Sequence, residues 1–442
     1  MAQSGNAPWP SAYAALAGGA NKAPFTPPQA TFPLAGRAAS KLVNPTLVIN
    51  LIKGILGSGL LCLPFALQES GLGLGLITLT FMAIMSLGGF LAIGYTCHIT
   101  GASSYRQAWQ RSVGVYPAIV DVMILLECVI TGIGFVILTL DYTSTGLRGL
   151  WEFEAGPNLR PKIAAAMTIF ILMPLNLRTN LESLKSTSTL GNCILLYTIL
   201  YVILEYAGCD HGMCSEMGDL MTMYGPKRDG IFRAVGMMTS AYIAHYSAPD
   251  HMASVSSRPR PWKTFYASVV VAFAVALVAY ILFAGAGFMR FGPEAVMGNI
   301  LLNYEGMDSS HNIMAAWLGM AMMLLCTFPL SFKPARDTVA KALEIDDGVD
   351  EGSPRFAWSL ATVIMVGLTV IMGVILQDIS KIMALRGAVL GCPISFTMPG
   401  LMLWYCPEGN HPNGLQKPAG AALFVFGIFA GLMGLVCTFM DT

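Results

Sequence analysis

The sequence predicts an all-α polytopic membrane protein, and three observations carry the prediction. Hydrophobic residues fill 55% of the 442 positions and charged residues 11%, more apolar surface than one soluble core can hide. Apolar runs of about 20 residues, the length that crosses a bilayer as a helix, recur between charged or Pro- and Gly-rich breaks. The third observation is a run that departs from the rule for such helices. Asn50 to Pro64 reads NLIKGILGSGLLCLP, placing Gly54, Gly57 and Gly59 where helix formers belong, at about 1 kcal/mol each against alanine.

In chain order, residues 1–42 read as a disordered cytosolic tail, rich in Ala, Pro, Gly and Ser. Their acid-free start also fits an organellar transit peptide, though Lys22 and Arg37 are few for one. Spans follow near 45–67, 72–98, 117–145, 162–177, 189–206, 231–250, 264–289, 311–332, 356–376, 380–404 and 418–440, about eleven in all. Basic residues favour a cytosolic N-terminus: Arg106, Arg111, Arg178, Lys185, Arg258, Arg260, Lys263, Lys333, Arg336, Lys341 and Arg355 all fall in segments that this orientation places inside. The mixed-charge stretch 333–355 reads as a solvated cytosolic face. The formal net charge is zero with no basic stripe, which excludes nucleic acid as a partner. No HExxH, CxxC or GxSxG pattern stands where it could work, so an enzyme is not expected.

Breaking the first span has a physical use. The second half-helix, starting near Ser58 or Gly59, would turn free N–H groups toward a carboxylate, while the orphan carbonyls of the first half would face an ammonium or a cation. Asn50 lies about two turns earlier and offers an amide oxygen to the same cation. Close packing of another helix against small residues explains the glycines equally well. A matched irregularity five spans later, GMMTSAYIAHYSAPDHM, shifts the balance. Inverted-repeat transporters interrupt the first helix of each half, and Thr239, Ser240, Tyr242, His245 and Pro249 fall in this second break. The halves would run 43–206 and 231–404, with an extra helix at 418–440.

Ionisable groups inside spans demand partners, since each costs at least about 2.5 to 3.5 kcal/mol alone at mid-bilayer. Depth alone pairs Lys53 with Glu127, either as a static lock between spans or as a gate. His245, the lone titratable group near the middle of span six, is a hydrogen-bonded core residue or a proton carrier. In span eight, LLCTFPLSFKPAR puts Thr327 two residues before Pro329, which frees the carbonyl of residue 325. Asn50 and Thr327 could then share a sodium-sized ion, unless the threonine bonds back to its own helix. Cys209 and Cys214 fall in a predicted outer loop, where an oxidising lumen would allow a disulfide.

Four stretches carry a family resemblance: NLIKGILGSGLLCLPFALQESG, AYIAHYSAP, GAGFMRFG and CTFPLSFKPAR. With these the chain resembles the amino acid/auxin permease family, nearest to the sodium-coupled neutral amino acid transporters and the vacuolar amino acid transporters. The resemblance implies a LeuT-type fold of five plus five inverted repeats with interrupted first and sixth helices. It implies substrate backbone contacts at Gly57, Ser58 and Gly59; Ser240 and Tyr242, from the second break itself, are the further substrate-binding candidates. Sodium at Asn50 and Thr327, as in the sodium-coupled branch, and a counterpart for the cysteine pair are also implied. Three departures stand out. Lys53 is similar to the proton-coupled branch, Lys333 and Ala335 replace apolar residues of relatives, and Arg386 occupies a normally apolar tenth span with no assigned partner.

The resulting expectation is a multi-pass, monomeric secondary transporter of small neutral amino acids in a plasma, vacuolar or lysosomal membrane. It would be coupled to sodium or protons and need no cofactor beyond the coupling ion. Its partners are the amino acid and the lipid bilayer. An amino-acid-sensing receptor and a non-transporting accessory subunit are the rival readings.

Overall fold

Backbone polar groups within a bilayer must be satisfied inside their own segment. Accordingly, every regular element among the described residues of the computed structural model is helical. Those residues are 42–151, 159–178, 184–209, 229–307, 311–345, 355–407 and 415–440. Residues 1–41 of the expected tail lie outside them.

The first span is two helices, α1 (Pro45–Ile55) and α2 (Leu63–Ser70), joined by a 3-10 turn at Ser58–Cys62 and bent by 48°. Asn44 starts α1 by accepting the Thr46 N–H on its side chain, with proline in the first turn, a pairing of cap and N1 proline that suits a helix start. Leu47, Val48, Leu51 and Ile55 form the buried face of α1. The next elements are α3 (Leu72–Thr100), α4 (Tyr105–Ser112), α5 (Ala118–Trp151), α6 (Leu159–Met167), α7 (Met173–Asn176) and α8 (Leu184–Ala207). A π-helical stretch, Thr168–Leu172, connects α6 to α7.

The second broken span comprises α9 (Gly230–Tyr242) and α10 (Ala248–Ala253), separated by extended or irregular backbone at Ile243 and Ala244 and a 3-10 turn at His245–Ser247. After it come α11 (Pro261–Phe291), α12 (His311–Ala342), α13 (Arg355–Ile375), α14 (Ile379–Arg386), α15 (Met398–Tyr405) and α16 (Gln416–Met440). Two π-helical turns link α14 to α15. Asp378 caps α14 by accepting the N–H groups of Ser380 and Lys381.

By length and composition, eight described helices can cross a membrane, nine when the bent 45–70 pair counts as one span. The expected spans near 162–177 and 231–250 are helical but fall outside that count, because each is divided into pieces shorter than a bilayer.

Packing places the breaks at the centre. The α12 helix lies along α5 and α8, α1 along α11, and α9 between α2 and α14. Glu69, fully buried in the last turn of α2, is ion-paired to Arg233 near the start of α9. The end of one broken span therefore meets the beginning of the other, as antiparallel repeats require.

Candidate functional site

The chain unwinds where its helical hydrogen bonds stop. Leu56 still donates to Ile52 O at 2.8 Å, but Leu56 and Gly57 are extended, at φ −71°, ψ 97° and φ −134°, ψ −166°. Ser58 and Gly59 open the 3-10 turn, and the first N–H groups of any helix lack an intrahelical acceptor. Opposite them, α9 ends and Ile243 turns extended at φ −73°, ψ 103°.

Gly59 is what lets the two breaks touch. A Cβ there would lie 2.9 Å from Ala241 Cα, closer than side-chain carbons approach backbone. Behind them, Gly387 meets Gly236 so tightly that a Cβ on Gly387 would sit 1.7 Å from the Gly236 carbonyl oxygen. This second contact presses α14 onto α9 and brings Arg386 to Ser240.

Between the breaks lies a cavity of about 200 Å³. Gly57, Ser58 and Gly59 line one side, and Ser240, Ala241 and Ile243 the other. Thr131 of α5, Asn192 of α8, Thr327 and Ser331 of α12, Lys53, Tyr246 and Arg386 complete the wall. Four further spans thus converge with the two breaks on one space.

Arg386 is the charge that organises this wall. It is 7% exposed and donates from Nε (2.8 Å) and Nη2 (2.5 Å) to one oxygen of Glu127, and from Nη1 to Ser240 Oγ at 3.0 Å. The other Glu127 oxygen has no hydrogen-bond partner among the described residues. The expected pairing of Lys53 with Glu127 is therefore wrong. Depth fixes which groups share a level of the bilayer, whereas helix rotation decides which of them face each other. Rotation turns Glu127 to α14 and leaves Lys53 exposed on the cavity wall with no ion pair among the described residues.

The remaining expected site residues divide. Thr327 lines the cavity, and its hydroxyl donates to Met323 O at 2.8 Å, which leaves its oxygen lone pairs free to accept. Asn50 is exposed and is not among the lining residues. Tyr242 is fully buried beside the cavity rather than on it, its ring edge-on to Tyr280 at 4.9 Å and stacked on Phe273 at 6.3 Å. His245 is fully buried with both nitrogens engaged: Nε2–H donates to Ser86 O at 2.9 Å and Nδ1 accepts from the Ser395 hydroxyl at 3.0 Å. Because a carbonyl only accepts, the Ser86 contact places a proton on Nε2, which in the neutral ring leaves Nδ1 as the acceptor. Cys209 is not among the free thiols. Its expected partner, Cys214, lies outside the described residues.

One residue escaped the sequence reading. Tyr280 of α11, fully buried, donates its hydroxyl toward Ile55 O and Ala241 O, each at 2.7 Å. These are carbonyls in the last turns of α1 and α9, one from each break. A tyrosine near the middle of an apolar span is the signal that could have found it, since a buried phenol needs a partner.

An all-α membrane fold with two antiparallel interrupted spans enclosing a polar cavity is the architecture of a secondary transporter. The model of the transmembrane amino acid transporter protein family matches residues 41–440, and the chain belongs to that family. Vacuolar amino acid transporter 5 of Schizosaccharomyces pombe is 22% identical over 373 residues, covering 84% of this chain and 86% of that protein. Solute carrier family 38 member 8 of Mus musculus is 25% identical over 416 residues, with 88% and 92% covered. Solute carrier family 38 member 10 of Homo sapiens is 22% identical over 390 residues and 86% of this chain, yet this chain spans only 33% of that longer protein. Among solved structures, a manganese transporter of Eremococcus coleocola superposes with TM-score 0.53 at 14% identity over 92% of this chain and 89% of its own. The nucleobase-cation-symport-1 family transporter MHP1 gives 0.51 at 12% identity over 91% and 94%. At such identities these structures share the fold, which is the expected broken-helix class.

Proposed function

We propose that this chain carries small neutral amino acids across a membrane by alternating access, coupled to sodium or protons. The cavity between the two breaks is the observation that carries the reading. It presents uncommitted N–H groups at Ser58 and Gly59 for a carboxylate and helix-end carbonyls for an ammonium, so a zwitterion is matched by backbone alone. At about 200 Å³, it is smaller than the roughly 300–1,000 Å³ of pockets that hold drug-sized ligands, which favours a small side chain.

Side chains then set selectivity and coupling. Ser240 and Arg386 border the far wall, and Thr327 with Ser331 offers hydroxyl oxygens beside the unwound first span. Sodium would use Thr327, Asn50 and carbonyls of α1, with Asn50 turning in from its exposed position. Lys53 stands on the same wall, where a fixed ammonium disfavours a second cation and supports proton coupling. The family match and the vacuolar amino acid transporter relative support the amino acid substrate, and a plasma, vacuolar or lysosomal membrane is proposed as the site. Cys209 and Cys214 are proposed to pair, and the chain to act as a monomer.

Uptake of labelled alanine and serine into proteoliposomes under separate sodium and pH gradients tests the reading. Gradient-driven accumulation supports a carrier; saturable binding without flux supports the sensor alternative. If Asn50→Ala with Thr327→Val leaves sodium dependence intact while a proton gradient alone drives uptake, the sodium site is wrong.

A further inference from the structure

Two helix ends meeting at one place create an electrostatic problem. The last turns of α1 and α9 each expose carbonyls without intrahelical donors, carrying the partial negative charge of a helix C-terminus. At Ile55 and Ala241 these ends converge, and what lies between the two oxygens is the hydroxyl of Tyr280, 2.7 Å from each. A hydroxyl has one proton, so a single donor serves two acceptors and one carbonyl is always under-compensated. Both Ile55 and Ala241 line the cavity, and Tyr280 does not.

We propose that Tyr280 is a strap joining the two helix breaks: a positioning residue that fixes the spacing of the Ile55 and Ala241 carbonyls, and through them the cation end of the cavity, without touching substrate. The strap's proton deficit makes the pair of carbonyls selective for a ligand that brings its own N–H donors. A primary ammonium supplies three, satisfying the oxygen that the phenol leaves. The ring is held independently of the hydroxyl by its edge contact with Tyr242 at 4.9 Å. Removing the oxygen alone therefore tests the bond and not the packing. The ammonium assignment rests on the carrier reading above; the strap itself does not.

The experiment compares Tyr280→Phe with Tyr105→Phe in the full-length chain. Tyr105 is also a buried phenol donating to a backbone carbonyl, Ile394 O at 2.8 Å, and serves as the control for losing one such bond. Hydrogen exchange should accelerate at 52–60 and at 241–247 together in Tyr280→Phe, and at neither stretch in Tyr105→Phe. In proteoliposomes Tyr280→Phe should raise KM for alanine about tenfold, the weight of one to two hydrogen bonds, while kcat changes less than about twofold. Acceleration at one break alone, at neither, or equally in the control overturns the strap. Coupled acceleration with an unchanged KM overturns the link to the cation end. If the unmodified chain moves no amino acid, the carrier reading falls and the exchange result still decides the strap.

Discussion

The two helix breaks reach similar geometry by different chemistry. The first is built on glycine, and Gly59 is the one that matters, since a Cβ at 59 would collide with Ala241 while one at Gly57 would meet only Ile55 O at 4.0 Å and one at Gly54 nothing. The second break has no glycine at all: Ile243 and Ala244 leave the helix with ordinary side chains, and His245 is pinned by Ser86 and Ser395. One break is therefore permitted by missing atoms and the other held open by hydrogen bonds. Sequence composition exposes the first kind readily and the second only through its polar residues.

Substitutions can sharpen that contrast. The largest effect is expected outside both breaks, at the pair behind them. Arg386→Met alone leaves Glu127 buried and uncompensated, a loss of about 3–5 kcal/mol. Thermal unfolding in detergent should show it, and Arg386→Met with Glu127→Leu should recover much of the stability. Recovery that fails to appear would mean Arg386 acts mainly through Ser240.

Next in size, Gly59→Ala overpacks the contact with Ala241. Overpacking costs about 1–3 kcal/mol, which corresponds to roughly a 5- to 150-fold loss of uptake affinity if it falls on the bound state. Gly57→Ala, with open space around it and an extended φ of −134°, should change affinity less than about threefold. Equal effects at both positions would show that flexibility, not close approach, is what glycine contributes.

At the second break, His245→Ala leaves the Ser86 carbonyl and Ser395 hydroxyl without their partner, at about 1–3 kcal/mol. With both ring nitrogens engaged and the ring fully buried, this is a structural cost: stability should fall while the pH profile of the residual uptake keeps its shape. A lost acidic or basic limb in that profile would restore His245 as the proton carrier. Smallest of all, Thr327→Val removes a hydroxyl whose proton serves only its own helix turn, and should shift stability by less than about 0.5 kcal/mol.

Much of the fold was legible because lipid imposes simple rules. Apolar length located each span, and the glycine run located the first break to within a residue or two. Thr239, Ser240, Tyr242, His245 and Pro249 bracket the second break, and the backbone unwinds between them at 243 and 244. Pair partners were not legible. Lys53, Glu127 and Arg386 all lie within spans, and only rotation of α1, α5 and α14 chooses between them. The π-helical turns following Arg386 change that rotation in a way no regular period predicts. The partners of Tyr280 are hidden for a related reason: they are backbone carbonyls, which every residue possesses, so no side-chain type in the sequence marks them.

Transport as proposed requires that unwound backbone at 56–59 and 243–244 form the binding cavity. A density map of the protein in lipid with saturating alanine tests it most directly. Substrate density is expected between Gly57–Gly59 and Ala241–Ile243, its carboxylate against the N–H groups of Ser58 and Gly59. Continuous α-helix through both stretches, or substrate bound elsewhere with this space filled by side chains, would contradict it.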